Sequence, residues 1–216
     1  IGGAAAAYRS DVLREMGGFD HAIITEDIEM STRILSQGYK TRYACDAIIY
    51  TEGPSDLTGL CNQRLRWKYG RILTFMKHWK LFYSLKPQHN PYLTFVVLPV
   101  AVYAELMLLT EAIMLGAFFL YTIVTSDYMP LVFVVGLLTA VVSMQILVDP
   151  KQRFHRNLLL IAPAAWLLFY AVDMVELQAL IRSLKRLVSG KELKWQKWAR
   201  VGVGAHSAPR IQPAYD

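Results

Sequence analysis

Gln63, Arg64, Leu65, Arg66 and Trp67 place an amide, two guanidiniums and an indole within five residues. On a helix, Gln63, Arg66, Trp67 and Gly70 fall at i, i+3, i+4 and i+7 and share one face. The planar fork of arginine matches phosphate oxygens, and an indole offers a flat apolar surface to the C–H face of a pyranose. Such a face can hold a diphosphate and a sugar ring side by side, although the same five residues also read as a basic amphipathic helix with a buried tryptophan. Asp27 lies 36 residues before Gln63, in the run Thr25-Glu26-Asp27. Acids in a first helical turn commonly serve the helix dipole. A carboxylate facing a diphosphate-binding arginine and an aromatic sugar platform also suits an inverting sugar transfer. The carboxylate takes the proton of the attacking hydroxyl while positive charge stabilises the departing diphosphate.

These groups need elements to carry them. Ser10 is placed to cap a short helix over 11–16 that Gly17 ends, and Gly18, Phe19 and Asp20 follow as a loop. Thr25 is placed to cap a second helix over 26–37, which Gly38 ends. The stretch 39–51 is rich in Tyr, Ile and Thr and predicts one or two short strands turning near Asp46 and Ala47. Glu52-Gly53-Pro54 breaks it, and Ser55 is placed to cap a helix over 56–69 that carries residues 63–67 near its C-terminal half. The order αβα predicts an α/β fold, the second half of a nucleotide-binding domain. Strand-like sequence between the two helices can fold them onto one rim. From 70 to 87 aromatics are interspersed with Arg71, Lys77, Lys80 and Lys86, the pattern of an amphipathic helix in a membrane interface or of a packed surface helix.

Composition changes along the chain. With 54% hydrophobic and 19% charged residues, the whole reads as an integral membrane protein with an attached water-soluble part. Apolar segments near 92–124, 130–148 and 158–181 each reach the roughly 20 residues that cross a hydrocarbon core. The first is longer than needed, so the part before or around Pro99 is expected to run along the interface. The net charge of +6 is modest, but seven Lys and Arg from Arg182 to Arg200 stand against the single acid Glu192. Beside membrane segments that tail suits anionic lipid head groups rather than nucleic acid. With the water-soluble part cytoplasmic, the turn at Thr125-Ser126-Asp127 lies outside, and Lys151, Arg153 and Arg156 return inside. A third crossing then carries the basic tail outside, unless the third segment is re-entrant with Pro163 as its break. Cys45 and Cys61 have neither metal-ligand spacing nor a disulfide framework and read as buried reduced thiols.

Gly17-Gly18-Phe19-Asp20, Thr25-Glu26-Asp27 and Gln63-x-x-Arg66-Trp67, followed by membrane segments, resemble the C-terminal half of a membrane-embedded family 2 glycosyltransferase. That group includes cellulose, hyaluronan, chitin-oligosaccharide and poly-N-acetylglucosamine synthases, and the tail is most similar to the last type. The resemblance covers nearly the whole chain. It implies the end of a GT-A domain over 1–69, an interfacial helix over 70–90, about three spans over 91–183 and a basic tail over 184–216. Asp27 then matches the general base, and Glu26 its neighbour in the acceptor site. Gln63 and Arg66 match the contacts to the UDP diphosphate, Trp67 matches the platform for the acceptor sugar, and Asp20 sits in a loop near the acceptor. Arg64 falls at a variable position of the motif and has at most a supporting electrostatic role.

The resemblance further implies a UDP-sugar donor, a glycan or lipid-linked acceptor, membrane lipids and an accessory export subunit as partners, with no nucleic acid. It implies a plasma or inner membrane location with the catalytic part cytoplasmic. The uridine-binding aspartate and the metal-binding D-x-D belong to the N-terminal half of the family. The divalent Mg or Mn ion is therefore expected there, with no metal ligand in this chain. Residues 1–7 read as the middle of a packed element, so the chain is expected to be the C-terminal part of a longer polypeptide and inactive by itself. A non-processive transferase acting on a lipid carrier, and a transporter or channel subunit with a regulatory soluble part, stay open as alternatives. Glu105, Glu111, Asp173 and Glu176 lie within or near apolar segments, where charge is costly. Asp173 and Glu176, at i and i+3, either line a path for a growing glycan, sit near the head groups or belong to pairs between helices.

Overall fold

The computed structural model describes residues 5–193 apart from 45, 48, 50, 150, 151, 155 and 192. Among them six α-helices follow one another: α1 (Ser10–Glu15), α2 (Glu26–Ser36), α3 (Leu57–Lys77), α4 (Leu98–Thr125), α5 (Met129–Val148) and α6 (Ala165–Val188). No strand occurs among the described residues, so the α/β expectation is overturned and this chain is helical. A run of Tyr, Ile and Thr becomes a strand only where a neighbour supplies the ladder of hydrogen bonds. Residues 40–44 lie exposed without regular structure instead. Cys61 is free and half-buried, while Cys45 and most of the basic tail lie outside the described residues.

The starts of α1 and α3 differ from expectation by a residue. Ser10 is the first residue of α1 rather than its cap, and the preceding Arg9 instead pairs with Asp11. Gly17 and Gly18 both take positive φ, which ends α1 as glycine permits. Asp56, not Ser55, caps α3, its Oδ1 accepting from the Gly59 amide at 2.6 Å. Nor does α3 stop near residue 69. It continues through Gly70 to Lys77, and a 3-10 turn at Trp79–Leu81 follows.

Three helical stretches are long and apolar enough to cross a membrane: Leu93–Thr125, Met129–Val148 and Ala162–Val188. The first opens with a π-helical stretch, Leu93–Val97, that continues directly into α4, so Pro99 lies inside one helical run just after the hydrogen-bond register changes. Ser126 in the left-handed region closes α4, and the Asp127 carboxylate accepts from the Met129 amide at 3.0 Å to begin α5. Pro163 lies in a 3-10 turn, Ala162–Ala164, and α6 starts just after it. Val132, Phe133, Leu137 and Met144 stand exposed along α5, a surface that hydrocarbon accommodates and water does not. On α6, Ala179, Leu180 and Ser183 are buried, and the helix runs along α3.

Two small cores tie these helices to the loops. Val12, Met30 and Ile34 join α1 to α2, with Tyr8, Leu13, Met16 and Tyr39 around them. Leu81, Leu93 and Leu98 join the 3-10 turn to the start of α4, packed by Leu35, Phe75 and Phe82. Between the cores sits Glu29, fully buried. Its carboxylate accepts from Arg33 at 2.8 Å and Lys77 at 2.6 Å, with His78 Nε2 at 3.1 Å. Arg33 also donates to the carbonyls of Met16 and Gly18 at 2.6 and 2.8 Å, fastening the glycine loop to α2. Lys77 reaches Asp20 at 2.6 Å and fastens the same loop to α3.

This cluster makes stability depend on pH. Burial alone would raise the pKa of Glu29, but hydrogen bonds from Lys77 and His78 outweigh it and hold the group below its ordinary 4.5. The Lys77 hydrogen bond, then the Ala22 amide, likewise hold Asp20 below 3.8. Burial pushes His78 below 6.5. Depressed carboxylates contribute stability above their unfolded pKa and lose it as pH falls through the folded one. A histidine held neutral also loses stability as pH falls below 6.5, because the unfolded chain binds the proton first. Melting temperature of the full-length protein should therefore begin to fall below pH 6.5, with a second loss below about 4.5. In His78→Gln the first loss should disappear and the second persist.

Candidate active site

Thr25 brings α2 onto α3. It occupies the N-cap position expected of it, but its hydroxyl makes no capping bond. The side chain is buried against Gly70 instead, and Thr25 Oγ1 lacks a hydrogen-bond partner among the described residues. A Cβ at Gly70 would lie 2.9 Å from Thr25 Cβ and nearer still to Oγ1 and Cγ2. Glycine is what lets the two helices approach this closely. Gly70 was grouped with the ligand-facing residues by its spacing, and its role is this helix contact.

The approach sets the first turn of α2 against the middle of α3. Arg66 is half-buried beside Glu26 and Asp27: burial lowers its pKa, and the two carboxylates oppose that shift. Tyr8 faces the same pair. Burial first, then Asp27 and Glu26, raise its phenol above its ordinary 10.0. The Tyr8 ring meets Phe19 edge-on at 5.6 Å. Here a cleft of about 950 Å³ opens, lined by Tyr8, Phe19, Asp20, Glu26 and Asp27, with Tyr69 and Leu73 of α3 and Leu193 beyond α6. That volume lies at the upper end of small-molecule sites.

The six residues singled out in the sequence are thus only partly gathered. Asp20, Glu26 and Asp27 line the cleft, and Arg66 neighbours the last two. Asp20 is also committed to Lys77 by its ion pair. Gln63, half-buried, and Trp67 sit on α3 outside the cleft lining. Trp67 is 38% exposed. The Arg64 guanidinium lies 4.7 Å from the Trp67 ring centroid. Tyr8 went unnoticed because a lone tyrosine after a run of small residues carries no spacing signal.

The model for "Glycosyl transferase family group 2" matches residues 1–175, which takes in the cleft lining apart from Leu193, and α3, α4 and α5. The chain belongs to this family. Over 93% of its length it is 26% identical to a probable glucomannan 4-beta-mannosyltransferase 7 of Oryza sativa subsp. japonica, covering 33% of that protein. Over 40% of its length it is 30% identical to a probable glycosyltransferase of Bacillus subtilis, covering 20% of it. A poly-beta-1,6-N-acetyl-D-glucosamine synthase of Staphylococcus aureus is 33% identical over 32% of the chain and 17% of that enzyme. The chain therefore spans a third or less of the length of these relatives. No solved structure matches it.

In this glycosyltransferase family member the contact between Thr25 and Gly70 sets the start of α2, which carries Asp27, against α3, which carries Arg66. The obstructing atoms at Gly70 include a Cβ attached to the α2 backbone, so an added methyl moves a helix rather than a side-chain tip. Gly70→Ala should cost about 1–3 kcal/mol in thermal unfolding, and adding Thr25→Gly should recover part of the loss. An unchanged melting temperature in Gly70→Ala would mean that the helices do not meet this closely.

Proposed function

We propose that the full-length protein transfers a sugar from a UDP-sugar, with inversion, to the end of a growing surface polysaccharide. The observation that carries this reading is that Glu26 and Asp27 line a cleft large enough for sugar rings, with the half-buried Arg66 of α3 close enough to feel both carboxylates. Asp27 takes the proton of the acceptor hydroxyl as its oxygen bonds to the anomeric carbon and the bond to the diphosphate breaks. Arg66, with Gln63, stabilises the charge that develops on the leaving diphosphate. Trp67, 38% exposed with Arg64 over its ring, serves as the platform for an acceptor sugar. Glu26 and Asp20 bound the acceptor side of the cleft. Family membership supports an enzyme over a transporter subunit.

The divalent ion implied by the resemblance is a separate matter. Among the described residues no group of three or more His, Cys, Asp or Glu converges. We assign that ion to residues beyond this chain. We likewise place the cleft on the cytoplasmic side, where UDP-sugars are made available, with the product leaving past the adjacent helices.

Purified full-length protein supplied with UDP-glucose or UDP-N-acetylglucosamine should release UDP with one of them. Asp27→Asn should lower that rate by about 10²–10⁴-fold, the usual contribution of a general base, while UDP binding is retained. Undiminished turnover would remove Asp27 from the role of base. Trp67→Ala should impair acceptor use more than nucleotide binding. Equal losses in both would make the indole a packing residue.

A further inference from the structure

On the side of α3 turned away from the cleft, Arg64, Lys68 and Arg71 recur at i, i+4 and i+7 and project together. Two carboxylates from the membrane-crossing stretches meet them. Lys68 Nζ lies 2.7 Å from Glu105 of α4 and 3.1 Å from Glu176 of α6. Arg71 pairs with Glu105 at 2.7 Å, and Arg64 with Glu176 at 3.0 Å. The Lys68 and Glu105 side chains are each 10% exposed, so neither charge has water as an easy alternative. Arg64 makes the further contact that gives this network a consequence: the guanidinium that binds Glu176 also covers one face of the Trp67 ring.

We propose that Glu176 is a positioning residue for sugar transfer, holding Arg64 against Trp67 so that the indole presents its open face to the acceptor. This rests on the reading of Trp67 as the acceptor platform. An exposed arginine samples many rotamers, and an indole beside it is then free to turn. Bound to Glu176, the guanidinium has one place to be, and Trp67 is backed by a charged plane of fixed height. Lys68 bridges Glu176 to Glu105, so the same link sets α3 against both α4 and α6. The residue acts through Arg64 and touches no substrate.

The test is a double-mutant cycle in the full-length protein, made of Glu176→Gln, Arg64→Gln and the pair. Donor is whichever UDP-sugar supports UDP release, and the acceptor is a soluble oligosaccharide of the same sugar. Each single change should raise the acceptor KM on the order of tenfold, with the donor KM within about twofold of the parent. The double variant should be no worse than the poorer single one, because both changes break one link. Additive effects, or equal shifts in donor and acceptor KM, overturn the proposal. Arg64→Gln leaves Glu176 paired to Lys68, so it reports even where Glu176→Gln fails to fold. Should the parent protein release no UDP from any UDP-sugar, the proposed function falls. Melting temperatures of the same cycle then test the link by themselves: non-additive shifts uphold it, and additive ones overturn it.

Discussion

Glu105 and Glu176 reach from apolar helices to the cations of α3, and much of the remaining arrangement follows from the cost of leaving either side unpaired. A carboxylate in a membrane segment needs a partner or water, and these two take theirs from a helix that is not itself apolar enough to span. At separations of 2.7–3.1 Å, in surroundings that exclude solvent, attraction is strong but desolvation nearly cancels it. The net gain in stability is accordingly small. What the pairs supply is an arrangement with few alternatives, since separating one partner strands the other. A helix that composition assigns to the water-soluble part therefore lies along α6.

Fixing one side of α3 determines what the other side can do. With Arg64, Lys68 and Arg71 committed to the membrane helices, and Lys77 committed to Asp20 and Glu29, Arg66 is the cation of α3 set beside Glu26 and Asp27. Gly70 lies on that same side, one turn further on, and its missing side chain admits Thr25. The cleft thus depends on two contacts of opposite kind. One is a polar network whose geometry is set by charge, and the other is a steric fit that requires the absence of a methyl group.

Much of this was legible in the sequence, and the failures have physical causes. Three apolar stretches declared themselves by length and hydropathy, which depend on no partner. Thr25, Glu26 and Asp27 were rightly put at the start of a helix. No strand forms among the described residues of 39–51, because strand propensity is realised only in a ladder. Ser10 and Ser55 were plausible caps adjacent to the true boundaries, and a cap is decided by backbone dihedrals rather than residue type. Gly70 suggested an end to α3, yet a glycine inside a helix costs only about 1 kcal/mol against alanine and does not stop one that is packed on both sides. The intramembrane acids signalled a need for partners, and pairing between helices proved right for Glu105 and Glu176. Glu111 and Asp173 line a void of about 10 Å³, far too small for a sugar ring. Nothing in one dimension could say that the partners of the paired acids were the residues flanking Arg66.

The mixed character of α3 also explains why residues 63–67 fit a basic amphipathic helix as well as a ligand-binding face. A helix with cations around much of its circumference reads as solvated, because periodicity records polarity and is blind to what answers it. Here one face is answered by carboxylates from an apolar bundle and another by carboxylates at a cleft. A helix with its side chains is about 10 Å across, so Arg66 and the Glu176 network are separated by little more than one helix diameter. No extended chain of intermediates is required for the membrane helices to influence the cleft. α3 itself touches both sides, at Gly70 toward the cleft and at the Glu176 network toward α6.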